Sequence, residues 1–125
     1  MRVTRARAPF LDSLRSFLLM AAVRGTSAGS RTLFVHAGLE ASHLDDFESV
    51  AAANALARNM LGTRHDVFIP DSSLISTRSL TAPDSIDMCD VFLPRALAHF
   101  DVDRIIVGHT PQPTSSVGSR CGGRY

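Results

Sequence analysis

The sequence predicts an α/β fold, because short apolar runs typical of buried strands alternate with longer segments of helical spacing. Strands are expected at residues 18–23, 31–36 and 104–107, and helices near 47–61 and 86–100. The first two strands flank a Gly/Ser-rich loop and are therefore expected to form a β-hairpin. A shorter helix is expected at residues 9–17, where a proline suits the first turn. The 125 residues are enough for one domain.

An acidic start at residues 45–46 and a terminal glycine, Gly62, predict the helix near 47–61. Its apolar stripe consists of Ala53, Leu56, Ala57 and Met60. We expect Asn54 and Asn59 on its exposed or partly exposed surface.

The helix near 86–100 contains Pro94, which must kink it or divide it in two. The polar stretch at residues 63–85 is longer than an ordinary connection, and such loops are often functional.

The charge balance excludes several kinds of chemistry. The net charge of +1 favours neither nucleic acid nor a membrane surface as a partner. All 13 basic residues are arginine, so no lysine is present to act as a nucleophile, to form a Schiff base or to bind phosphate in a loop.

No apolar run approaches the ~20 residues of a transmembrane helix. The N-terminal arginines and the apolar run at 17–23 have some features of a targeting peptide, but charged residues interrupt them. A cytoplasmic location is expected.

The two cysteines, Cys89 and Cys121, are far apart in the sequence and lack the CxxC spacing of a metal or redox motif. We expect isolated, reduced thiols, while a disulfide between them stays open.

Two histidines follow predicted strands. His36 comes after the apolar run LFV and is followed by Ala37 and Gly38, while His109 follows IIVG. Polar residues at the carboxyl edge of a sheet commonly form a site, and a neutral imidazole there is a good ligand for a divalent metal. The alternative is that each histidine caps its strand end through hydrogen bonds.

The motifs around these histidines resemble those of calcineurin-like metallophosphoesterases. VHAGL at 35–39 is similar to their [VC]HGG motif, and IIVGHTPQ at 105–112 is similar to VGHTPQ. The branch resembled is that of the PPP phosphoprotein phosphatases, in particular the bacterial and Shewanella-like group. CGGR at 121–124 and Ser-Thr-Arg at 76–78 resemble further elements of that group, the second of them PLWTR. The resemblance covers roughly residues 10–125.

The resemblance implies the C-terminal half of a β-sandwich flanked by helices. It implies that residues 1–8 are a disordered arm before a partial domain at 9–125. His36 and His109 would ligate one divalent metal (Mn, Fe or Zn) of a dinuclear centre, and Arg78 would hold the substrate phosphate, which a guanidinium fork suits. The implied reaction is hydrolysis of phosphomonoesters by metal-activated water. The implied substrate is a phosphorylated protein or a small phosphomonoester.

The sequence also departs from the family pattern. Ala37 replaces the first glycine of one motif, and Ser76 stands where tryptophan is usual. The motifs GDxHG, GDxxDRG and GNHE, which supply the remaining metal ligands and a catalytic histidine, do not occur, so no catalytic residue is assigned. A second interpretation is therefore a catalytically inactive fragment or a non-catalytic binding module, and a third is an unrelated α/β domain.

The other histidines, His43, His65 and His99, match no motif and are expected at the surface or on helix faces.

Overall fold

The computed structural model describes residues 19–27, 30–63, 75–78, 87–111 and 117–125. The expected arm at 1–8, the expected helix at 9–17 and His65 lie outside these ranges, as does most of the stretch at 63–85. No helix in the described ranges is long and apolar enough to cross a membrane.

The described residues form a three-stranded sheet in the order β1-β2-β3. The strands are β1 (Met20–Arg24), β2 (Arg31–Val35) and β3 (Arg104–Val107). β1 and β2 are antiparallel, with Arg24 opposite Arg31, which confirms the predicted hairpin. β2 and β3 are parallel, so their carboxyl ends reach the same edge of the sheet. Together with the helices, the sheet confirms the α/β class.

Strands β2 and β3 alternate between a buried and an exposed face, as the pleat of a sheet requires. Leu33, Val35 and Ile105 lie in the core, whereas Phe34 and Ile106, a register pair, are 43% and 44% exposed on the other side. The core therefore lies on one face of the sheet. The described residues contain no second sheet, so the sandwich implied by the family resemblance stays a prediction.

The helix predicted near 47–61 is present, and a short helix that was not predicted precedes it. The first, α1 (Ala41–Asp46), contains both aspartates that were expected to begin the longer helix. The second, α2 (Val50–Thr63), begins after them and includes Gly62 in its last turn. The prediction of the boundaries was therefore wrong at both ends, because the acidic residues finish a separate short helix and a glycine near a helix end does not have to terminate it.

The expectation of a surface position for Asn54 was also wrong. Asn54 is 5% exposed, and its amide bonds to the backbone of Leu19 and Met20. Asn59, one and a half turns further along α2, is exposed as expected.

Pro94 divides the next helical segment, as predicted. A π-helical segment, Asp87–Phe92, precedes α3 (Leu93–Phe100), and Pro94 lies in the first turn of α3, where its missing N–H is not needed. Leu93, Ala96, Leu97 and Phe100 from α3 are buried in the core.

The expectation of reduced cysteines was wrong, because Cys89 and Cys121 form a disulfide. Cys89 lies in the π-helical segment and Cys121 in the C-terminal tail (residues 117–125). Their Cα atoms are 5.2 Å apart, within the range that a disulfide spans. The tail also borders β3, since the backbone N–H of Ile105 donates to the carbonyl oxygen of Arg124 at 2.9 Å. The proximity of the two cysteines depends on the fold, so their spacing in the sequence does not indicate it.

Candidate functional site at the strand ends

The parallel pairing of β2 and β3 brings His36 and His109 together. Val35 and Val107 are register partners, and each histidine follows within two residues of its strand end. The two imidazole centroids are 5.5 Å apart and the rings are tilted by 44°. Both residues are exposed. Two segments that are 73 residues apart (109 − 36) thus place one imidazole each at the same sheet edge.

The turn after β2 is held by the neighbouring strand and by the core. The backbone N–H of His36 donates to the carbonyl oxygen of Leu19 at 2.8 Å, which extends the contact between β1 and β2. Ala37 and Leu39, which follow, are 2% and 0% exposed. His36 is therefore an exposed side chain on a backbone that is fixed on both sides.

The turn after β3 is unusually close and strained. A Cβ added to Gly108 would lie 3.0 Å from the carbonyl oxygen of His36, so a glycine suits this approach. His109 has φ of +64°, a left-handed conformation that few residues other than glycine adopt. Strain of this kind is often found at functional sites, where the surrounding structure maintains it.

Residues 75–78 contact the same region through Glu40. The hydroxyl of Thr77 donates to Oε1 of Glu40 at 2.5 Å, and Thr77 is 1% exposed. Arg78, the next residue, is exposed. The phosphate-binding role of Arg78 stays a prediction, while its neighbour is bonded to the segment that follows His36.

Two other histidines have structural contacts. His43 is 5% exposed, and its Nδ1 accepts the backbone N–H of Glu40 at 3.0 Å, so of the two expected positions it takes the helix face, in α1, and not the surface. His99 is half-buried, with Nε2 2.6 Å from the carbonyl oxygen of Phe47 and its ring edge-on to Phe100. These contacts account for His43 and His99 without a ligand.

The histidine pair fits one side of a metal site. The two rings are 5.5 Å apart, which is close enough for one ion to lie between them with nitrogens ~2.0–2.1 Å away. Within the described ranges, however, no group of three or more His, Cys, Asp or Glu side chains could hold a metal. A catalytic zinc site usually keeps three protein ligands, so the described residues supply an incomplete set.

Sequence reasoning missed Glu40 as a structural residue. Glu40 caps α1 and forms reciprocal bonds with His43, three residues later, in the manner of a capping box. That spacing was a usable local signal. The bond between Glu40 and Thr77 has no such local signal, because the two residues are 37 positions apart.

Comparison of this chain with family models, with curated proteins and with solved structures finds no match.

Proposed function

We propose that this chain is the C-terminal part of a metal-dependent phosphoesterase of the phosphoprotein phosphatase type. His36 and His109 would ligate one divalent ion, either Mn, Fe or Zn, and the intact protein would hydrolyse phosphomonoesters. The observation that carries the proposal is the 5.5 Å separation of the two rings at the ends of paired parallel strands. The left-handed backbone of His109 supports the proposal, because backbone strain of this kind clusters at functional sites.

Different residues of this chain would bind the metal and the substrate. A bound divalent ion lowers the pKa of its water ligand and so supplies a nucleophile at neutral pH. The histidine pair would hold the ion, and the exposed Arg78 would bind two phosphate oxygens through its guanidinium. The expected substrates are phosphorylated proteins or small phosphomonoesters.

The second candidate function is a non-catalytic metal-binding module or inactive fragment. It is favoured by one observation, namely that the described residues offer no third ligand beside the two histidines. A dinuclear phosphoesterase needs ions ~3.5–4 Å apart, which two histidines do not build.

Metal binding can be tested in the chain as it is. We expect Mn²⁺ to broaden the imidazole NMR signals of His36 and His109 and to leave that of His99, bonded near Phe47, sharp. His109→Ala should abolish the broadening at His36, whereas the control His99→Ala should leave it unchanged. Equal broadening of all imidazoles, or none, would contradict a site at the strand ends.

Turnover distinguishes the two candidate functions. We expect this chain with Mn²⁺ to show no hydrolysis of p-nitrophenyl phosphate, because its metal ligands are incomplete. Hydrolysis that disappears in His109→Ala would show that the chain is active by itself. Sequencing the genomic region upstream of the Met1 codon completes the test. In-frame GDxHG and GNHE motifs there would support the intact phosphoesterase, and their absence would leave the binding module.

A further inference from the structure

Glu40 joins two segments that are far apart in sequence. Its carboxylate accepts the backbone N–H of His43 at the start of α1 and the hydroxyl proton of Thr77, with 2.5 Å between Thr77 Oγ1 and Glu40 Oε1. The backbone N–H of Glu40 donates to Nδ1 of His43 at 3.0 Å. Because both its backbone and its carboxylate are engaged, Glu40 is a fixed acceptor for Thr77.

Thr77 is the anchor of residues 75–78. It is 1% exposed, so its hydroxyl needs an acceptor inside the protein, and Glu40 supplies one. On the same segment, Ile75 packs against the core. The next residue after the anchor, Arg78, is exposed. A part-buried hydrogen bond thus lies at the residue directly before the exposed Arg78.

The anchor also connects this segment to the histidine pair. Glu40 is four residues after His36 (40 − 36), and the buried Ala37 and Leu39 fix the chain between them. A guanidinium on a backbone that is already ordered loses less conformational entropy when it binds an anion. The bond between Thr77 and Glu40 therefore offers a way to pre-order the backbone of Arg78 beside the segment that follows His36.

We infer that Thr77 is a positioning residue for Arg78 and acts through its hydrogen bond to Glu40. The inference rests on the proposed function, in which Arg78 binds the phosphate of the substrate. Thr77 needs no contact with substrate in this role. It holds the backbone from which the guanidinium reaches the anion.

The test measures the Kd of inorganic phosphate by calorimetry, using the full chain with excess Mn²⁺. Thr77→Val removes the hydroxyl and keeps the shape, and we expect it to raise Kd about tenfold, the effect of losing one such bond to a carboxylate. Thr77→Ser retains the hydroxyl and should keep Kd within about twofold of the wild type. The Mn²⁺ affinity should stay the same in all three proteins, whereas a general loss of structure would lower it as well. Glu40→Gln weakens the same bond and replaces Thr77→Val if that variant does not fold.

A double-mutant cycle separates the inference from the proposed function. In an Arg78→Ala background, Thr77→Val should cause no further loss of phosphate affinity, because its effect passes through Arg78. An equal loss in both backgrounds, or no loss with Arg78 present, overturns the inference and leaves the proposed function standing. If the wild type binds no phosphate, or Arg78→Ala binds it normally, the phosphate role of Arg78 fails and the inference fails with it.

Discussion

Asn54 joins α2 to the start of β1 through one buried amide. Its Oδ1 accepts the backbone N–H groups of Leu19 at 2.8 Å and of Met20 at 3.0 Å, and its Nδ2 donates to the carbonyl oxygen of Met20 at 2.8 Å. Buried backbone groups need partners, and at the beginning of this strand a side chain provides them. The amide therefore fixes where α2 meets the sheet.

Replacing this amide should be costly. We expect Asn54→Ala to lower the free energy of unfolding by about 3 kcal/mol, because it leaves buried backbone groups without partners. Urea unfolding followed by circular dichroism measures the change. The matched control is Ala55→Ser, the exposed neighbouring position on the same helix, where the change should stay within about 0.5 kcal/mol. Equal effects of the two substitutions would show that water satisfies the groups near Asn54.

Hydrophobic periodicity in the sequence does not predict the burial of the polar side chains of Asn54 and His43. Periodicity assigns apolar residues to the core and polar residues to solvent, so it has no means of predicting a buried polar side chain. Asn54 is buried because its backbone partners are 34 and 35 residues away, and nothing local indicates them. His43 differs, since its partner Glu40 is only three residues earlier.

The turns after β2 and β3 are the elements on which the candidate site depends. Gly108 donates its backbone N–H to the carbonyl oxygen of Val35 at 3.3 Å, and its Cα faces the carbonyl oxygen of His36. These contacts set how closely the two strand ends approach. The separation between the rings of His36 and His109 follows from them.

Adding a methyl group at this contact should separate the turns. In Gly108→Ala the new Cβ would lie 3.0 Å from a backbone oxygen, which must move to accommodate it. We expect a loss of about 1–2 kcal/mol in unfolding free energy and a fall of about tenfold in Mn²⁺ affinity, since overpacking shifts the backbone. Urea unfolding and Mn²⁺ titration measure the two effects. Unchanged Mn²⁺ affinity would mean that the histidines bind independently of this turn, or that they do not bind together.

The predicted elements succeeded where the signal was local. β1, β2 and β3 are continuous apolar runs, and each was predicted to within three residues at either end. The break at Pro94 follows from the chemistry of proline. The start of α2 was predicted three residues too early because Asp45 and Asp46 end the preceding helix, and local signals do not distinguish that from the start of the next one. The meeting of His36 and His109 was expected from similar strand ends, and its close geometry required the parallel register of β2 and β3.

At the scale of the whole molecule, the sheet has a core on one face only. Val23, Phe34 and Ile106 on the other face are 50%, 43% and 44% exposed. A sheet normally buries its apolar face against another layer, and half of a sandwich is expected to leave one face uncovered. Among the described residues no second sheet covers this face, and the sandwich implied by the family resemblance stays a prediction.

The disulfide connects two parts of the described structure that the sheet alone does not hold together. Cys89 lies in the π-helical segment and Cys121 in the tail that borders β3. Disulfides persist mainly in oxidising compartments, and the cytoplasmic location expected from the sequence stays a prediction.

Removing the disulfide should weaken the fold and release the tail. The bond closes a loop with a sequence separation of 32 residues, and a loop of that length corresponds to about 3–4 kcal/mol of stabilisation through the unfolded state. We expect Cys89→Ser and Cys121→Ser each to lose about that amount relative to the oxidised protein, and reduction to bring the wild type to the same level. Hydrogen exchange at the Ile105 amide, which donates to Arg124, should accelerate on reduction because the tail no longer stays against β3. The serine variants are the control, since a reductant should not alter them further. Two titratable thiols in the native, oxidised protein would show that the sulfurs are not paired, and unchanged exchange at Ile105 would show that the tail is held by its other contacts.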